Sequence, residues 1–323
     1  GSHGDPRYGK AILPLVLGAG SPVLAANRAS ATQSPGGTGA LRLAADFIRT
    51  QLPGKSIWLS NPTWPNHIGI FEGAEIPIQR YPYVDSDNRL DFEGMLAALK
   101  QIPQGDVVLL HACCHNPSGF DLNQDQWRQV LAVVQERGLL PLVDFAYQGF
   151  GDGLDIDAFG VRLLAENLDE MLITSSCSKN FGLYRERTGC LIVIARTAEQ
   201  MENVRSQMAI VARENYSTPP SHGAAIVIDI LESEELTQLW KSELTEMCDR
   251  INSLRRDLVD SLKPYGLDQR FAHVAEQRGM FSYTGLSTEQ VKRLRDEFSI
   301  YMVGSGRANV AGFTSENLPY VAK

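Results

Sequence analysis

Three short segments of this 323-residue chain carry residue types at spacings that suit one kind of chemistry. Lys179 lies in Ser175-Ser176-Cys177-Ser178-Lys179-Asn180-Phe181-Gly182, directly after an apolar run, and Arg187 follows. Lysines ordinarily occupy solvated faces. At a strand end among small polar residues, a lysine is partly desolvated, which lowers its pKa and suits Schiff-base formation with an aldehyde. Leu140–Asp144 is a second apolar run, ending in a carboxylate and followed by Phe145-Ala146-Tyr147. Ligands of parallel α/β sheets sit outside the carboxyl ends of the strands. There Asp144 could hold a cationic ring nitrogen and Tyr147 a phenolic oxygen; the plainer alternative is an aspartate capping the next turn. The third segment, Ser34-Pro35-Gly36-Gly37-Thr38-Gly39-Ala40, opens a helical pattern. Glycines let backbone N–H groups approach an anion, and a helix N-terminus favours one. A glycine turn with a helix cap is the alternative. No Gly-Lys-[Ser/Thr] follows, so this is not a P-loop, and the glycine spacing does not fit a dinucleotide-binding turn. Phosphate, pyridinium and aldehyde partners at three strand ends carry the reading by their coincidence.

Other motifs compete. Ser176-x-x-Lys179, Ser86-Asp87-Asn88 and Arg187-Thr188-Gly189 resemble the three motifs of acyl-serine penicillin-binding enzymes. The second precedes the first, so the match is treated as coincidence. His111 and His115 flank Cys113-Cys114 at a spacing that suits a metal only on a helix, whereas the preceding run reads as a strand. Packing is the preferred reading and no metal is expected. Trp64, in a loop after a strand, is either a stacking platform or core. Asn116-Pro117-Ser118-Gly119 is a turn by its chemistry.

The elements that would position these residues alternate. Strands are expected at Ser56–Ser60, Glu75–Tyr81, Asp106–His111, Leu140–Asp144, Met171–Ser175 and Cys190–Ala195. Helices are expected at Thr38–Leu52, Asp91–Lys100, Asn123–Arg137, Ala198–Glu214 and Ser221–Leu231. The strands are continuous apolar runs, as in sheets covered on both faces. The fold class is therefore α/β, a large domain with a mainly parallel (mixed) sheet covered by helices. Glu234–Leu262 reads as one long amphipathic helix leading to a small α+β domain. That domain has strand-like runs at Met280–Tyr283 and Ile300–Val303, and a helix from Thr288 to Glu297. The expected organisation is a tag remnant at 1–3, a large domain at 4–240 and a small, incomplete domain at 241–323.

Thirty basic and 38 acidic residues leave a net charge of −8. Without a basic tract, nucleic acid and anionic membrane surfaces are poor partners. No apolar run reaches the roughly 20 residues of a membrane span, Ala11–Gly20 being interrupted by Pro14 and glycines. Five cysteines with no C-x-x-C suit a reducing cytoplasm.

Asn61–His67, His111–Gly119, Asp144–Phe150, Ser178–Arg187 and Ser305–Arg307 together resemble the aspartate/aromatic aminotransferases, fold-type I enzymes dependent on pyridoxal 5'-phosphate, over nearly the whole chain. Ser178–Tyr184 and Asp144–Phe150 look more like the bacterial aspartate-type members. The resemblance implies that Lys179 is the catalytic Schiff-base lysine. Asp144 would pair with the ring nitrogen, with His67 supporting it from behind. Tyr147 and Asn116 would bond the ring oxygen, and Trp64 would stack on the ring. Gly37, Thr38, Ser176 and Arg187 would hold the phosphate. Trp64, Asn116 and Arg307 would meet the substrate, Arg307 clamping its α-carboxylate, and Arg213 would reach the distal carboxylate from the neighbouring subunit of a homodimer. The implied reaction is L-aspartate plus 2-oxoglutarate giving oxaloacetate plus L-glutamate by a ping-pong route. The alternatives are an aromatic amino acid aminotransferase or a truncated, non-catalytic scaffold. Against the family pattern, Thr218 replaces the usual Asn, and an N-terminal segment and the end of the last helix are missing.

Overall fold

The computed structural model describes residues 1–323. Seven strands form one mixed sheet: β1 (Ala29–Pro35), β2 (Ile57–Asn61), β3 (Ile78–Pro82), β4 (Val107–His111), β5 (Leu140–Phe145), β6 (Met171–Ser176) and β7 (Thr188–Ile194). Their order is β1-β7-β6-β5-β4-β2-β3. Strands β2 to β6 run parallel, and β7 is antiparallel to both neighbours. The pleat sends alternate residues to opposite faces. Val108 and Leu110 of β4 enter one apolar core, and Val107 and Leu109 enter the other. Helices Pro6–Leu17, Gln124–Arg137 and Phe159–Asn167 cover the first face; Gly36–Gln51 and Ala198–Tyr216 cover the second. Coverage on both sides is why β4 to β7 read as nearly unbroken apolar runs.

The register sets the site. His111 pairs with Asp144, Asp144 with Thr174, and Ser176 with Gly189. The polar residues that close β4, β5 and β6 therefore lie side by side at one edge of the sheet.

The helix Glu234–Ser261 runs 28 residues and buries Trp240, Leu244, Ile251, Leu254 and Leu258 along one stripe. The expected boundary at 240/241 falls inside it. Beyond lie β8 (Phe281–Tyr283) and β9 (Arg307–Asn309), an antiparallel pair in which Tyr283 faces Arg307. No helix is long and apolar enough to cross a membrane.

The structure departs from the sequence reading chiefly at β1 and at the run Ile300–Val303. β1 was not expected, because Ala29-Ser-Ala-Thr-Gln-Ser-Pro has no apolar pattern; its strand geometry comes from pairing along all of β7. The run Ile300–Val303 is not a strand: Ser299 turns left-handed at φ 55, Tyr301 is 77% exposed, and β8 takes its partner from Arg307–Asn309 instead. The expected helix from Thr288 forms as Thr288–Phe298, capped by Ser287 in a capping box with Gln290.

Gly189 is where β6, β7 and the start of the helix Gly36–Gln51 meet. A Cβ there would lie 2.6 Å from the Ser175 carbonyl oxygen and 2.7 Å from the Gly36 carbonyl carbon. Both are backbone atoms that cannot swing aside. Gly189→Ala is expected to lower the unfolding free energy by about 1–3 kcal/mol, the usual cost of overpacking. Chemical denaturation checks this, and an unshifted midpoint would show that the strands part freely.

Candidate active site

At the carboxyl ends of β4, β5 and β6 lies a cavity of about 310 Å³. Its lining includes Gly37, Thr38, Trp64, Asn116, Asp144, Tyr147, Ser176, Lys179, Arg187 and Arg307, ten of the twelve site residues named from the sequence. His67 lies behind the wall and Arg213 lies elsewhere.

One pole is acidic. The Asp144 Oδ2 accepts from His67 Nε2 at 2.8 Å, and Oδ1 accepts from Thr174 Oγ1 at 3.1 Å. Burial acts to raise the carboxyl pKa, but the hydrogen bond from His67, with the Lys179 ammonium beyond, outweighs it and holds the group below its ordinary range. His67 is fully buried and its Nδ1 lies 2.8 Å from Thr63 Oγ1, which also lies 3.2 Å from His111 Nε2. An ionised carboxylate only accepts, so His67 Nε2–H donates to it. The Thr63 hydroxyl thus bridges the two rings. Burial pushes the His111 pKa down to about 3, which keeps that ring neutral.

The opposite pole suits an anion. The helix Gly36–Gln51 begins here, with its first backbone N–H groups free of intrahelical partners. Gly36 has φ 72 and Arg187 has φ 54, and the two face one another. A Cβ on Gly36 would come within 2.5 Å of the Arg187 guanidinium, and one on Gly37 within 3.1 Å of the Ser176 Cβ. Arg187 Nη1 donates to the Tyr184 carbonyl at 2.7 Å, and Nη2 lies 3.3 Å from the Pro35 carbonyl, so the fork is already aimed. Backbone amides, the Thr38, Ser176 and Ser178 hydroxyls and a guanidinium form a donor set that fits a phosphate dianion.

Lys179 stands between the poles, its Nζ 4.5 Å from the Tyr147 ring centroid. Burial lowers its pKa, Arg187 lowers it further, and Asp144 pulls the other way. On the remaining side, Arg307 Nη1 donates to Asn116 Oδ1 at 3.1 Å, and its guanidinium lies 4.3 Å over the Phe281 ring. Trp64 sets its indole edge-on to His67 at 5.3 Å. The cavity thus offers an anion cradle, an amine and a carboxylate for a cationic ring nitrogen. These residues fit an aromatic aldehyde phosphate.

The sequence reading missed several lining residues. His111 was read as packing, Ser178 and Tyr184 were given no role, and Cys113 and Phe281 were not singled out; all five line the cavity. The alternation along β8 was the available signal for Phe281, since it puts Phe281 and Tyr283 on one face and Ser282 on the other. Arg213 is exposed near the end of the helix Ala198–Tyr216 and does not reach the cavity of its own chain.

Comparison with known proteins agrees with this geometry. The pattern of the aminotransferase class I and II family matches residues 1–323. An aromatic-amino-acid aminotransferase of Pseudomonas aeruginosa is 61% identical, covering 100% of this chain and 81% of the relative. The aspartate aminotransferase of Escherichia coli is 46% identical, covering 98% and 81%. The crystal structure of the aromatic-amino-acid aminotransferase of Burkholderia pseudomallei, covalently bound to pyridoxal phosphate, superposes with a TM-score of 0.98 at 47% identity, covering 100% of this chain and 81% of that one. The cavity offers an anion cradle, an amine and a buried carboxylate, and this chain belongs to the class I and II aminotransferases, a pyridoxal-phosphate-dependent family.

Proposed function

We propose that this aminotransferase moves the amino group of an aromatic L-amino acid to a dicarboxylic 2-oxo acid such as 2-oxoglutarate, and takes L-aspartate as a further donor. One contrast carries the order of preference. Within Pseudomonas aeruginosa, identity is 61% to the aromatic-amino-acid aminotransferase and 45% to the aspartate aminotransferase. Solved aromatic aminotransferases at 45–46% identity carry 3-indolepropionic or 3-indolebutyric acid, and one at 41% was cocrystallised with aspartic acid. One scaffold therefore receives both kinds of side chain. The aspartate-first reading rests on Arg213, which would arrive from the second subunit of a homodimer and pair with the distal carboxylate. An aromatic side chain needs no such partner, and the cavity offers Leu41, Trp64, Tyr184 and Phe281 to it.

Pyridoxal phosphate supplies, when bound, the conjugated ring that stabilises a carbanion at the substrate α-carbon. The chain's own residues do the rest. Gly37, Thr38, Ser176 and Arg187 bind the phosphate. Asp144, oriented by His67, keeps the ring nitrogen protonated. Tyr147 and Asn116 donate hydrogen bonds to the ring oxygen, and Trp64 covers one face of the ring. Arg307 takes the α-carboxylate as a bidentate pair, which guanidinium geometry suits. Lys179 Nζ would hold the aldehyde and shuttle the substrate α-proton, and its burial, which lowers its proton affinity, favours that exchange.

Lys179→Ala is expected to abolish turnover and the pH-dependent visible absorbance of the loaded protein, while the phosphate cradle still retains cofactor. An unchanged spectrum in that variant would remove Lys179 from the site. For the preference, kcat/KM for phenylalanine or tyrosine should exceed that for aspartate, and the reverse ranking would restore the aspartate-first reading. Arg213→Asp separates the roles further. It should depress aspartate turnover by the equivalent of roughly 2–5 kcal/mol, the cost of truncating a buried charge pair. Aromatic donors should suffer far less, and a uniform loss across all donors would take Arg213 out of substrate recognition.

A further inference from the structure

We propose that Arg255 is a positioning residue for the carboxylate-binding end of the site: its buried guanidinium clamps β8 from behind, and the front of β8 carries the ring on which Arg307 rests. The inference builds on the role proposed above for Arg307.

Arg255 lies on the helix Glu234–Ser261 among the apolar stripe of Ile251, Leu254 and Leu258, and none of its surface is exposed. It takes part in none of the chain's ion pairs, and its Nε has no partner. Burial lowers its pKa only to about 10, so it stays charged at neutral pH. Its other nitrogens meet acceptors of one short segment. Nη1 donates to Ser282 Oγ and, at 3.4 Å, to the Val274 carbonyl; Nη2 donates to the Gly279 carbonyl and, at 2.8 Å, to that of Phe281. An apolar residue of similar volume would fill this space without desolvating a charge. What it would lose is the fork that gathers Gly279, Phe281 and Ser282 into one position.

That segment borders the site on two sides. Gly279, at φ 88, sits so close to Cys114 that a Cβ would come within 2.4 Å of the Cys114 Cβ. The Arg278 N–H donates to the Gly119 carbonyl at 2.7 Å, tying the segment to the turn that bears Asn116. Strand alternation then turns Ser282 back toward Arg255 and Phe281 into the cavity, under the Arg307 guanidinium. Arg307 itself pairs with Tyr283 across the ladder. A shift of β8 therefore moves both the ring beneath Arg307 and its strand partner, while the poles formed by Asp144 and Arg187 stay where the large sheet puts them.

The test uses the cofactor-loaded protein and four variants. Readouts are KM and kcat for 2-oxoglutarate, calorimetric binding of succinate as a non-reacting carboxylate, Tm, and the pH midpoint of the visible spectrum. Arg255→Met is expected to raise KM and the succinate dissociation constant on the order of tenfold, the scale of one lost charge-assisted contact. Its kcat and spectral midpoint should stay near those of the parent. Arg255→Lys keeps the charge but not the fork, and should raise KM as well. A lowered Tm with unchanged KM and succinate binding would overturn the proposal, since Arg255 would then only support the fold. So would full recovery of KM by Arg255→Lys. If Arg255→Met does not accumulate folded, Ser282→Ala decides, with a KM rise of roughly twofold expected from losing one neutral acceptor; no rise overturns the clamp. Arg307→Ala is the control. A rise in KM there without one in the Arg255 variants sinks the clamp alone, whereas no rise in either sinks the Arg307 role and the clamp with it.

Discussion

A carboxylate taken out of water needs its hydrogen bonds replaced, or it takes up a proton and loses its charge. Asp144 keeps its charge at the end of β5 because His67 donates to one oxygen and Thr174 to the other. Each of these supports lies on a different element: Thr174 on the adjacent strand, His67 on the helix Pro65–Gly73. Thr63 and His111 hold His67 in turn. The carboxylate can hold a proton on a ring nitrogen only while it is itself ionised, so the sheet register, the helix after Trp64 and the buried histidines all serve that one condition.

The other pole is set by a close approach of backbone. Gly36 and Arg187 both adopt left-handed φ, and Gly189 leaves room for the Gly36 carbonyl against β6. With β7 antiparallel to β6, the chain enters β7 at the same sheet edge where β6 ends. Arg187 is thereby delivered next to Ser176 and the start of the helix Gly36–Gln51. A purely parallel crossover would have carried the residue before β7 to the far edge. The single reversed strand is what brings Lys179 and Arg187, eight residues apart, to one cavity.

The Arg307 side of the cavity is built differently. Asn116 and Arg307 are 191 residues apart, one on the turn that follows β4 and the other on β9 of the two-stranded sheet. Their contact depends on how the two-stranded sheet is held against the turn at Asn116–Gly119, through the Arg278 backbone and the segment gripped by Arg255. The Asp144 and Arg187 poles are thus tied to a seven-stranded sheet, and the Arg307 side to a pair of three-residue strands held by a buried cation.

What the sequence determined by itself was local and chemical. Lys179 was legible because a lysine among small polar residues is out of place at a strand end, and Asp144 and Gly37-Thr38 because they close or open patterned elements and coincide with it. The central strands β4 to β7 were legible because burial on both faces leaves continuous apolar runs. Tertiary structure alone decided β1, whose polar residues become a strand only by pairing with β7, and the choice of Arg307–Asn309 over the more apolar Ile300–Val303 as the partner of β8. It also decided where His111, Phe281 and Arg255 lie and what they touch. Periodicity records which face of an element is buried, not which distant residue it is buried against. Register, proton direction and clamping come from those distant partners, and only the folded chain supplies them.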